Sequence, residues 1–339
     1  MTDMNEIDPA VLSRARGCLL GQVAGDSLGA LVEFQDAESI RVEYPQGVRE
    51  LRDGGHWDLL AGQPTDDSEL ALMLARTLAR EGRYEDDAVA RAYGAWYSSP
   101  PFDCGGTIAR ALSVVSRVAE NHAAMARKVA NRESQANGAL MRVSPLGVFG
   151  HAMAPEALAD LARRDASLTH PHSICQDASV IFVVTIARAV GRGGSPGELF
   201  EFARDWAARA GLTAEVRAAL EDAAGGPPTD ASMNMGWVRI ALQNAFHRLA
   251  HGANVEEGVV ATVMCGGDTD TNGAIAGALL GAIHGEAAIP RQWREAVLTC
   301  RPEAGRPGVR HPRPVEFWPT DLIELADRLV GAGARYALG

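Results

Sequence analysis

Long uncharged apolar runs, paired cysteines and an excess of positive charge are all missing from this 339-residue sequence. Each absence removes a class of protein. The apolar stretch from Ala274 to Ile283 falls short of the roughly 18 residues a membrane-spanning helix needs and follows directly on Asp268 and Asp270, so no membrane partner is expected. The opening MTDMNEIDPA is acidic and polar, without the basic segment and apolar stretch of a secretory signal, and a cytoplasmic location is expected. The five cysteines, Cys18, Cys104, Cys175, Cys265 and Cys300, stand far apart with no Cys-x-x-Cys pair. That spacing excludes a disulfide framework and points to reduced thiols in or near a core. With 32 Lys and Arg against 43 Asp and Glu, the net charge is −11, the wrong sign for nonspecific binding to a phosphate backbone. No nucleic-acid partner is expected, and a phosphate-bearing small ligand would need cations or a local site to offset the repulsion.

What is present is ordinary material for a buried core: 47% hydrophobic and 22% charged residues. Aromatics reach only 6%, while Ala, Leu, Arg and Glu dominate the long segments. Apolar residues recur with the 3.6-residue period in Leu70 to Leu78, Ile181 to Val190 and Val238 to Leu249, whereas two-residue alternation is scarce. The sequence therefore predicts an all-α fold. Gly and Pro clusters at residues 52–55, 98–106, 191–197 and 225–228 read as inter-helix loops, and none is long enough for a domain linker. Although the length would allow two domains, the expectation is one compact multi-helix domain over residues 10–335, preceded by a tail at 1–9, acting as a monomer.

Glycine recurs at every fourth position in two places: Gly17, Gly21, Gly25 and Gly29, and Gly273, Gly277, Gly281 and Gly285. A glycine inside a helix costs up to about 1 kcal/mol relative to alanine, so four in register imply a return in close backbone approach. The two helices are expected at the centre of the bundle, packed against each other or against other small-residue neighbours.

Two acidic clusters precede helical segments. In Thr65-Asp66-Asp67-Ser68-Glu69, Thr65 can cap the helix and the carboxylates fall in a first turn, where the macrodipole favours them. In Gly266-Gly267-Asp268-Thr269-Asp270-Thr271, two glycines admit a tight bend that presents carboxylates and hydroxyls. These hard oxygen donors suit Mg²⁺, Mn²⁺ or Ca²⁺ rather than zinc. A third acidic element, Asp26 and Glu33, shares one face if the helix runs through both. Convergence of Asp66, Asp67, Asp268, Asp270 and Glu33 would require at least one divalent cation, and two balance the charge better. His170, His172, Cys175 and Asp177 are also of metal-ligand type, although their spacing matches no common zinc site, and His172 reads equally as a helix cap.

At these residues the sequence resembles the ADP-ribosylglycohydrolase family. The resemblance spans nearly the whole chain, in order: Gly21-Gln-Val-Ala-Gly-Asp-Ser-Leu-Gly-Ala-Leu-Val-Glu33, Thr65-Asp-Asp67, Asn137-Gly-Ala-Leu-Met-Arg142 and Gly266-Gly-Asp-Thr-Asp-Thr271. It implies an all-α fold with a binuclear Mg²⁺ or Mn²⁺ centre at helix N-termini, held by Thr65, Asp66, Asp67, Asp268, Asp270 and Thr271. Glu33 matches a mobile acidic residue beside that centre, and Glu33, Asp66, Asp67 and Asp270 are the expected catalytic carboxylates. The loop of Asn137, Gly138, Ala139, Leu140 and Met141 matches a segment that contacts ADP-ribose. Asp103, Gly105 and His170 match other ligand-facing positions, and Trp237 falls where an aromatic residue could stack on adenine or simply pack in the core. The implied activity is hydrolysis of the glycosidic bond between ADP-ribose and an acceptor, with an ADP-ribosylated protein or conjugate as substrate. A two-metal phosphohydrolase and a non-catalytic ADP-ribose-binding protein are the alternatives.

Overall fold

Asp8 accepts a hydrogen bond from the Ala10 amide at 2.8 Å, and Pro9 takes the first helical position, where its missing N–H costs nothing. The chain thus enters its first helix, α1 (Pro9–Gly29), at once. The computed structural model describes residues 7–338, so the first six residues of the expected tail lie outside the described residues. Among the described residues there are sixteen α-helices and no strand, only three isolated backbone bridges, as composition and periodicity predict. The buried apolar side chains form one continuous core.

Three further helices organise the interior: α2 (Asp66–Glu81), α3 (Ser173–Arg192) and α4 (Thr269–His284). Each contains a segment that the sequence marks as helical. α2 stops at Gly82, whose left-handed conformation closes the helix end. α3 is long and apolar enough to cross a membrane by length and composition, a stretch the sequence reading passed over in favour of residues 274–283. Most of that window is buried inside the protein, where an all-round apolar helix belongs.

α1 and α4 lie at the centre. Every residue from Gly17 to Gly29, and every residue from Thr269 to Ala282, is buried. The two glycine ridges face each other antiparallel. A Cβ built on Gly21 would stand 2.2 Å from the Gly277 carbonyl oxygen, and one on Gly277 would stand 2.0 Å from that of Gly21. Gly25 with Gly273, and Gly17 with Gly281, repeat the arrangement. No other side chain fits this seam, which is the return that offsets the poor helix propensity of glycine. Because the pair is antiparallel, the N-terminus of α4 meets the C-terminal end of α1, and Thr269 Oγ1 donates to the Gly29 carbonyl at 2.7 Å.

Candidate functional site

Three helix ends converge at that meeting point. α1 contributes Asp26 from its last turn, and α2 contributes Asp66 and Asp67 from its first. α4 contributes Asp268 at its cap, with Asp270 and Thr271 in its first turn. The bend expected to carry Asp270 and Thr271 is therefore already helix. α1 ends at Gly29, so Glu33 is not on the Asp26 face of a helix but on the turn that follows. That turn is pinned: the Phe34 amide donates to the Gly267 carbonyl and the Gly267 amide to the Gln35 carbonyl, both at 2.8 Å. A Cβ on Gly267 would fall 2.2 Å from the Ala231 carbonyl oxygen, so only glycine allows the strands of loop to close this tightly.

The carboxylates fall into two groups whose oxygens lie within 4.8 Å of one another: Asp26, Asp67 and Asp270, and Glu33, Asp268 and Asp270. Asp270 belongs to both. Asp66 and Asp103 line the same cleft, a cavity of about 270 Å³. Among the described residues that line it there is no Lys or Arg. The N-termini of α2 and α4 supply partial positive charge, but far less than this many carboxylates carry. The consequence appears in their proton affinities. Burial, then the neighbouring Asp103 and Asp67, holds Asp66 well above the ordinary carboxylate range. Burial, then Asp26 and Asp268, does the same to Asp67, and burial, then Glu33 and Asp67, to Asp270. Burial pushes Asp26 up to about 7, and burial with Asp103 pushes Glu33 up to about 8. Carboxylates crowded out of water in this way ionise together only when cations compensate them. Asp67 Oδ1 is buried with no hydrogen-bond partner among the described residues, as a waiting ligand atom would be. Hard oxygens in this arrangement fit Mg²⁺ or Mn²⁺.

Thr65 stands at the cap position of α2, yet its side chain makes no cap bond. Its hydroxyl lies 2.9 Å from Asp26 Oδ1 and 3.0 Å from Asp67 Oδ2, so it ties two carboxylates together from behind the cleft. Asp26, which the motif reading left outside the ligand set, also accepts from the Thr65 and Ser68 amides. The signal in the sequence was a lone carboxylate inside a helix of small and apolar residues. Glu33 is held by a residue the sequence reading missed altogether: Trp57 Nε1 donates to its Oε2 at 2.7 Å.

Of the expected ligand-facing residues, Asp103, Gly105, Asn137, Gly138, Met141 and His170 line the cleft. Asn137 Nδ2 donates to Asp268 Oδ2 at 2.7 Å and so orients a carboxylate of the cluster. Ala139 and Leu140 do not line the cleft, because their side chains turn into the core. Trp237 does not line it either. It walls a shallow neighbouring depression that shares Ala136, Met235 and Gly236 with the cleft, and its Nε1 donates to Gln135 Oε1 at 2.9 Å. The zinc alternative has no geometry behind it. His172 caps α3 by accepting from the Ile174 amide, and Cys175 Sγ faces the Ser134 and Ala136 carbonyls. Asp177 accepts from the Thr213 amide.

Fold and cleft together define an all-helical hydrolase class built around a carboxylate cluster. The ADP-ribosylglycohydrolase family description matches residues 7–337, and the chain belongs to that family of enzymes. It is 30% identical over 288 residues to the ADP-ribosyl-dinitrogen reductase glycohydrolase of Rhodospirillum rubrum, covering 84% of this chain and 90% of that one. It is 24% identical over 294 residues to the ADP-ribosylarginine hydrolase Tri1 of Pseudomonas putida, covering 84% and 74%. A solved ADP-ribosylglycohydrolase-related protein complex superposes with a TM-score of 0.75 at 28% identity, over 95% of this chain and 99% of the other.

Proposed function

We propose that this protein hydrolyses the glycosidic bond joining ADP-ribose to an acceptor, most simply an ADP-ribosylated protein side chain, and that it does so with two Mg²⁺ or Mn²⁺ ions. The observation that carries the reading is the pair of carboxylate groups sharing Asp270, with the unpartnered Asp67 Oδ1 among them. Thr65, Asp66, Asp67, Asp268, Asp270 and Thr271 would hold the ions, and Asp26 joins that set on geometry. Divalent cations in such a site supply Lewis-acid polarisation of the sugar at the bond to be broken.

The chain's own residues do the rest. Asn137 fixes Asp268, and Trp57 fixes Glu33 at the wall of the cleft. Glu33, Asp66, Asp67 and Asp270 would flank the reacting sugar with negative charge, which stabilises an oxocarbenium-like transition state, and Glu33 or one of the Asp carboxylates would accept a proton from the attacking water. Asn137, Gly138, Met141 and His170 line the part of the cleft that would receive the ADP-ribose.

The test is release of free ADP-ribose from arginine-, serine- and threonine-linked ADP-ribosylated proteins, with Mg²⁺, with Mn²⁺ and with chelator. Metal-dependent release from one linkage supports the reading and names the acceptor. AMP or inorganic phosphate as product would replace it with a phosphohydrolase, and tight ADP-ribose binding without release would replace it with a binding protein.

A further inference from the structure

Arg142 closes the Asn137–Arg142 segment and is fully buried. Its Nε donates to Asp165 Oδ2 at 3.2 Å and its Nη2 to the Asp165 carbonyl at 3.1 Å. Its Nη1 donates twice, to the Gly138 carbonyl at 3.2 Å and to Thr169 Oγ1 at 2.8 Å. Tyr93 completes the cage, with its hydroxyl donating to Asp165 Oδ1 at 2.8 Å and its ring 4.5 Å from the guanidinium carbon. A guanidinium has donors only, so Thr169 Oγ1 is necessarily the acceptor of that contact.

Thr169 then has one hydroxyl proton to place. The remaining atom within hydrogen-bond distance is His170 Nδ1, 2.7 Å away. If Nδ1 carried its own proton, the hydroxyl proton would be stranded in a fully buried site, which is the costly outcome. With the hydroxyl donating, Nδ1 is unprotonated and the ring proton sits on Nε2. That nitrogen is buried without a partner among the described residues, on a side chain that lines the cleft.

We infer that the Asp165–Arg142–Thr169 relay locks His170 as the Nε2–H tautomer, so that the cleft wall presents a fixed hydrogen-bond donor to an acceptor oxygen of the ligand. Burial together with the Arg142 charge pushes this imidazole down to about 3, so it stays neutral. His170 is then a donor at every working pH and not a proton shuttle. Arg142 and Thr169 act as positioning residues, and through the Gly138 carbonyl the same arginine sets the turn beside the imidazole. The identity of the ligand oxygen, on a phosphate or a ribose of ADP-ribose, rests on the proposed function, but the tautomer does not.

Two measurements on the full-length protein separate these layers. In ¹⁵N-histidine-labelled protein, long-range ¹H–¹⁵N correlations should show His170 protonated at Nε2 and bare at Nδ1. Thr169→Val should scramble or invert that pattern, whereas Thr169→Ser, which keeps the hydroxyl, should preserve it. Calorimetric titration with ADP-ribose in Mg²⁺ should show about tenfold weaker binding for Thr169→Val, the worth of one buried hydrogen bond, and recovery in Thr169→Ser. A wild-type spectrum with the proton on Nδ1, or a Thr169→Val spectrum unchanged from wild type, overturns the relay. Wild-type protein with the expected tautomer and no affinity for ADP-ribose overturns the proposed function and leaves the relay standing.

Discussion

Replacing Gly277 with alanine tests the centre of the fold and the site in one experiment. The new Cβ would lie 2.0 Å from the Gly21 carbonyl oxygen, where real contacts essentially never fall under 3.0 Å. α1 and α4 must therefore part by about 1 Å at this point, and the obstacle is backbone, which has no rotamer to change. Overpacking of this kind costs roughly 1–3 kcal/mol, with a rigid neighbour placing it at the upper end. Alanine returns about 1 kcal/mol of helix propensity. The net expectation is a loss of roughly 2 kcal/mol, read as a lower urea midpoint. Gly197→Ala, where a Cβ meets nothing within 4 Å, is the control and should lose nothing. Activity adds a second dimension. At 1.5 Å per residue, Gly281, Gly277 and Gly273 lie about 16, 10 and 4.5 Å along the helix from Asp270. The three alanine variants should lose similar stability, while metal-dependent turnover falls further as the substitution approaches Asp270. Wild-type stability in Gly277→Ala would refute the seam; equal activity losses along the series would refute its role in holding the site.

Asp270→Asn should give effects of opposite sign: higher melting temperature than wild type in chelator at neutral pH, because a buried carboxyl that folding forces to stay protonated is gone, but no turnover and no stabilisation by Mg²⁺. A chelated variant less stable than chelated wild type would contradict the crowding of charge. Glu69 and Arg313 form a bidentate pair in the interior, Nε to Oε1 and Nη2 to Oε2 at 2.8 Å each. Arg313→Met strands the carboxylate and should cost about 3–5 kcal/mol by urea denaturation, with most of it recovered in the Glu69→Met, Arg313→Met double variant. Burial tends to raise Asp86, but hydrogen bonds from Arg164 and Arg127 outweigh it, and the group sits below its ordinary 3.8. A depressed folded-state value means stability present above 3.8 and lost as pH falls through the folded value. The stability difference between wild type and Asp86→Asn should be constant from neutral pH down to about pH 5 and shrink below pH 4, measured by urea midpoints.

Much of this was legible because local chemistry and global packing agree. The four-residue glycine period states that a helix has a bare ridge, and the acidic pairs after Pro64 and Gly267 state that carboxylates open two helices. What one-dimensional pattern does not carry is the stopping point of a buried helix. α1 ends at Gly29 because the chain must turn there to reach Gly267, so Glu33 leaves the helix face that Asp26 occupies. Asp26 itself gave only a lone-carboxylate signal, since its partners Thr65 and Ser68 lie about 40 residues away. Trp57 reaches Glu33 from a loop with no periodic signal at all. Thr65 looked like a cap because caps are common at such positions, and tertiary contacts took its hydroxyl instead.

The antiparallel seam also constrains how the protein is made. Gly29 and its partner Thr269 are 240 residues apart, so the centre of the fold is among its least local contacts. Topologies of this kind fold slowly, since the chain must close a long loop before the contact rewards it. During synthesis the glycine face of α1 has no mate until residues near 285 have left the ribosome. The clustered carboxylates come from both sides of that gap, Asp26 and Asp67 before it and Asp268 and Asp270 after it, so no chain ending before α4 can assemble the cluster.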